Sequence, residues 1–99
     1  LLERNGFLGN RPKVNSYLGL ANCFKSFNDF DSAIYHANKA LQVSEKINYL
    51  KGKRDLTKLL SELFQNKVQI DSAYYYQSMY ITTNDSLYNR DKSSTIEKT

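Results

Sequence analysis

Cysteine, histidine, proline and glycine are scarce in this chain and tryptophan is missing altogether: one Cys, one His, one Pro and four Gly stand among 99 residues. The lone thiol, Cys23, excludes an intrachain disulfide and a cysteine cluster for a metal. The lone imidazole, His36, has no second histidine to complete a metal or acid–base site, so no catalytic residue, metal ligand or cofactor is expected. Its place between Ala33, Ile34 and Ala37 reads as a partly exposed helix position, and Cys23, beside Phe24, reads as a packed thiol. So few glycines and prolines disfavour a turn-rich all-β fold. No apolar run is long enough to span a bilayer, so no membrane contact is expected of these residues. Gly52-Lys53 lacks the preceding glycine and the following Ser or Thr of a phosphate loop. The chain opens on Leu1-Leu2-Glu3-Arg4 without methionine, as expected of a piece of a longer protein whose targeting segment lies elsewhere.

What is present is helical periodicity. Phe30, Ala33, Ile34, Ala37, Ala40 and Leu41 fall at steps 0, 3, 4, 7, 10 and 11, one face of a helix. Half of that face is alanine, which adds little apolar area and suits the close approach of a neighbouring helix. Ile70, Ala73, Tyr74, Gln77, Tyr80 and Ile81 repeat the same steps, and Asp71-Ser72-Ala73 copies Asp31-Ser32-Ala33 after 40 positions (71 − 31). The spacing predicts an all-α chain: a helical stub and loop over 1–10, helices over about 11–27 and 30–47, a third ending near Asn66, and a fourth over 70–83. The third carries the stripe Leu56, Leu59, Leu60, Leu63 and Phe64. Asn28-Asp29 breaks the first helix, and Asp29 or Asp31 caps the second. Asn84-Asp85 offers a stop and a cap, after which 84–99 starts a further, marginal helix.

Helix pairs with a small residue at their crossing resemble the tetratricopeptide repeat. The first unit (11–47) matches at Tyr17, Leu20-Ala21, Phe24, Ala33, Ala37 and Ala40, and the second (50–83) at Leu60-Ser61, Phe64 and Ala73. Thr57 replaces the first aromatic, Tyr80 the last alanine, the closing proline is missing, and the spacing is 40 rather than 34, with the extra residues around Ser44–Arg54. Long-spaced repeats of this kind resemble the sensor regions of bacterial signalling proteins, including sensor histidine kinases and helix-turn-helix regulators, and Asn84–Asn89 resembles the exit from such repeats. The resemblance implies a short right-handed solenoid of stacked antiparallel pairs and an extracytoplasmic (periplasmic) part of a membrane-anchored regulator.

The resemblance further implies a groove for a protein or peptide partner, lined by Asn15, Leu18, Asn22, Lys25 and Ser26 from the first helix and Asp55, Lys58, Glu62, Gln65 and Asn66 from the third. Leu18 and Leu59 stand where carboxylate-clamping repeats carry a lysine and an asparagine, so a mixed-charge extended segment is expected rather than a C-terminal carboxylate. Open repeat ends imply self-association. The eight tyrosines offer interface area, since Tyr74, Tyr75, Tyr76 and Tyr80 cannot all face one core. The net charge of +4 is spread along the chain, and its densest basic run, Lys51, Lys53, Arg54 and Lys58, reads as a solvated helix face. A basic helical nucleic-acid-binding module is the alternative function; nucleic acid is not the expected partner.

Overall fold

The computed structural model describes the backbone of residues 2–98 and the side chains of residues 10–89. Within them are four α-helices and no strand: α1 (Leu2–Ser26), α2 (Phe30–Lys46), α3 (Leu50–Asn66) and α4 (Ile70–Lys98). Each packs against its chain neighbour, α1 on α2, α2 on α3 and α3 on α4, and α1 also touches α3.

The three turns are built alike. Asn28, Asn48 and Val68 each take a left-handed conformation, with φ of 62°, 55° and 59°. The next amide reaches back across the turn in every case: Asp29 N donates to Phe24 O (2.9 Å), Tyr49 N to Ser44 O (2.8 Å) and Gln69 N to Phe64 O (2.9 Å). This is the Schellman closure, which satisfies carbonyls that the helix end leaves free. Asparagine tolerates the left-handed region; valine is the exception, because its branched side chain crowds the backbone there. Asp29 also caps α2, accepting from Ser32 N at 3.3 Å. Since the turn at 47–49 is as short as the others, the longer repeat spacing lies in the helices and not in an enlarged loop.

Two of the expected boundaries differ. α1 is one helix from Leu2, so Gly6 and Gly9 do not end a stub and Pro12 lies inside the helix. Glycine costs a helix only about 1 kcal/mol. Proline's fixed φ is close to helical, so it removes one hydrogen bond and bends the helix without necessarily stopping it. α4 likewise continues through Asn84-Asp85 to Lys98. Thr83 is buried and Leu87 half-buried on either side of that pair. Leu87 lines a recess with Arg11, Tyr49 and Leu50, so tertiary contact outweighs the few tenths of a kcal/mol by which Asn and Asp disfavour a helix.

The core consists of Val14, Ala21, Ala33, Ala37, Ala40, Leu41, Leu56, Leu59, Leu60 and Leu63. Ala33 and Ala73, equivalent in the two copies, are both buried. The copies also share an aromatic arrangement. Phe24 stacks on His36 at 5.2 Å and Tyr35 meets that ring edge-on, also at 5.2 Å. Forty positions on, Phe64 stacks on Tyr76 at 5.5 Å and Tyr75 meets it edge-on at 5.0 Å. His36 therefore occupies the place of a core aromatic. Its Nδ1–H donates to the Ser32 carbonyl at 2.9 Å, which leaves the ring face free to stack.

Near the turn that joins them, α2 and α3 are tightly packed around Gly52. A Cβ built on Gly52 would come within 2.7 Å of the Tyr49 ring and 2.9 Å of Ser44 Oγ, so this buried glycine is a packing requirement. At the two ends of the α2–α3 contact stand ion pairs, Lys53 with Glu45 (3.5 Å) and Lys67 with Asp31.

Candidate partner-binding face

Alternating helix directions make α1 and α3 parallel, and an ion pair bridges their neighbouring sides. Lys25 Nζ donates to Glu62 Oε1 at 3.0 Å, joining residues 37 apart in sequence. With both helices rising about 1.5 Å per residue, that register sets Leu18 near the level of Asp55 and Asn22 near that of Leu59. Leu18 is half-buried against the core and Leu59 is buried within it, giving the face an apolar floor.

Around that floor the residues are polar. Asn15 and Asn22 on α1, and Asp55, Lys58 and Gln65 on α3, are exposed; Lys25 and Glu62 are half-buried. Two of the expected charges are already engaged with each other, and Asp55 accepts from Arg54 Nε at 3.1 Å. These contacts are partly solvated, so each contributes on the order of 0–1 kcal/mol and is easily exchanged for a contact with a ligand. The face offers amide groups at Asn15, Asn22 and Gln65, a cation at Lys58 and an anion at Asp55. Such a set can hydrogen-bond an extended backbone and read charges of both signs.

The basic run on α3 does not gather into one patch of unpaired cations, because Lys53 is bound to Glu45 and Arg54 to Asp55. Among the described residues no group of three or more His, Cys, Asp or Glu could hold a metal. No helix there is long and apolar enough to cross a membrane.

Cys23 is exposed, contrary to the packed thiol that its neighbour Phe24 suggested. Consecutive helix residues point about 100° apart, so only Phe24 turns toward α2. A larger difference concerns α4. Its stripe repeats that of α2, yet only Ala73 is fully buried, while Ile70, Tyr74, Gln77 and Ile81 line an open recess of about 660 Å³ together with Gln65. In α2 the equivalent residues belong to the core, because α2 has a helix on each side. Periodicity marks both stripes; it does not say which of them a following helix covers. Tyr75 is exposed as well, and Tyr76 half-buried, its hydroxyl donating to Asn38 Oδ1 at 3.3 Å.

No family model, curated protein or solved structure matches this chain.

Proposed function

We propose that this chain is a protein-interaction module of two tetratricopeptide-like helix pairs, stacked as a short right-handed solenoid, that holds an extended mixed-charge segment of a protein partner across α1 and α3. The Lys25–Glu62 bridge carries this reading, since it unites the polar sides of two helices from different repeats in one surface. The repeated aromatic stacks support the pairwise organisation. Neighbouring polar contacts set orientation and specificity more than affinity, so two repeats alone bind weakly, with Kd on the order of micromolar or above. The resemblance to bacterial sensor regions supports the further reading that this module is the sensory part of a larger signalling protein, on the extracytoplasmic side.

Selection from a displayed peptide library tests the proposal. Enriched sequences should carry both acidic and basic residues and lose binding to the Asn22→Ala, Lys58→Ala double variant, with its circular dichroism unchanged. Enriched peptides that bind this variant as tightly as the parent would move the interface off α1 and α3.

A further inference from the structure

The uncovered stripe of α4 and an uncovered stripe of α1 are the two halves of an interface that the chain already makes internally. Shifting α2 forward by 40 positions converts Phe30, Ile34, Ala37 and Leu41 into Ile70, Tyr74, Gln77 and Ile81. The first four are packed into the core, whereas Tyr74 is 73% and Ile81 49% exposed. Shifting α3 back by 40 converts Leu59, Leu60, Leu63 and Lys67 into Gly19, Leu20, Cys23 and Phe27. Here too the α3 leucines are buried while Leu20 is 44% and Phe27 80% exposed.

We propose that a second copy of this chain docks its α1 stripe on the α4 stripe of the first, antiparallel and in the register of the α2–α3 contact. Two observations select a second copy as the occupant. The first is charge: the internal pair Glu45–Lys53, 3.5 Å apart, maps under the same two shifts onto Asp85 of one copy and Lys13 of the next, both exposed. The other internal pair, Asp31–Lys67, maps onto Asp71 and Phe27, where Phe27 meets Ile70 instead, and Gly52 maps onto Pro12, so the docked helices follow the internal contact in their middle turns and stand further apart at the Pro12 end. The second is shape. Gly19 sits in mid-helix, where glycine costs about 1 kcal/mol against alanine, and nothing within this chain lies within 4 Å of where its Cβ would be. A glycine the monomer does not need gives the bulky α4 stripe room for close approach. This surface adjoins the polar α1–α3 face at Gln65, which lines the α4 recess, and shares no other residue of that face. Because it joins two different patches it is heterologous, and repeated use gives open chains of copies rather than a closed pair.

Sedimentation velocity over a concentration series in reducing buffer, which excludes linkage through Cys23, tests the contact. The parent should grow in average mass with concentration without a plateau at the dimer. Tyr74→Glu and Leu20→Glu should each sediment as monomers, and an equimolar mixture should form a dimer, since each variant retains the face the other has lost. Lys13→Glu should weaken assembly by about two- to fivefold, and adding Asp85→Lys should restore it; these surface changes leave the fold intact, so they decide the matter even where a glutamate variant unfolds. A parent that stays monomeric throughout, a Leu20→Glu protein that still dimerises with itself, or a charge swap without rescue would overturn the proposal.

Discussion

Val68 is the one turn residue whose chemistry opposes its conformation. Asn28 and Asn48 hold the same left-handed backbone at little cost, but a β-branched side chain there carries strain on the order of 1–2 kcal/mol. Val68 is exposed, so little packing is lost on replacing it. Val68→Gly should therefore raise stability by about 1 kcal/mol in urea melts, and a loss would mean that the valine side chain makes a contact outweighing its strain. Gly52 is the reverse case. Alanine there gains helix propensity but drives its methyl into the Tyr49 ring, which is itself held under the Arg11 guanidinium at 4.8 Å. Overpacking should win, with Gly52→Ala losing about 1–2 kcal/mol; a stabilised variant would show that the ring moves freely.

Tyr76 couples the aromatic stack to pH. Burial, followed by the neighbouring Tyr75 and the negative charge of Glu45, raises its phenol above the ordinary value of 10.0. A folded-state pKa above the unfolded one means that the native chain holds this proton more tightly. The stabilisation is thus complete below about pH 10 and disappears as pH climbs through the folded value. The alkaline side of a stability–pH profile should fall more steeply for the parent than for Tyr76→Phe, and parallel profiles would contradict that. At this scale Ala33 and Ala73 were legible from spacing alone. The structural part of His36 was not, because it depends on Phe24 from another helix and on recognising Tyr76 as its counterpart.

For the helices themselves, existence and faces were legible in the sequence, while ends were legible only where the backbone itself must turn. The Asn28-Asp29 break and the stop at Asn66 follow from turn chemistry. Gly6, Gly9, Pro12 and Asn84-Asp85 resemble the same punctuation, yet they are only modest penalties that a continuous helix absorbs when its next turn finds something to pack on. Pro12 is exposed and withholds one hydrogen bond from α1. Pro12→Ala should accordingly raise the urea midpoint, corresponding to about 1–3 kcal/mol. No change would indicate that the helix before Pro12 does not unfold cooperatively with the rest.

Taken as a whole, the molecule is a row of helices in which each interior helix is covered on both sides and the outer ones on a single side. The 40-residue repeat announces the row, but a repeat is silent about what lies beyond its last copy. For that reason the α4 stripe looked like a packing face and is found open. The proposed α1–α3 surface comes from the resemblance to tetratricopeptide repeats, which puts Asn15, Asn22, Lys25, Lys58, Glu62 and Gln65 on one side; the Lys25–Glu62 bridge supports that grouping. Titrating ¹⁵N-labelled protein with a library-selected peptide and following amide shifts asks the question of function most directly. Shifts concentrated at Asn15, Asn22 and Lys58, with Tyr74–Ile81 unmoved, are the predicted result, and shifts confined to α4 with α1 and α3 silent would contradict the account.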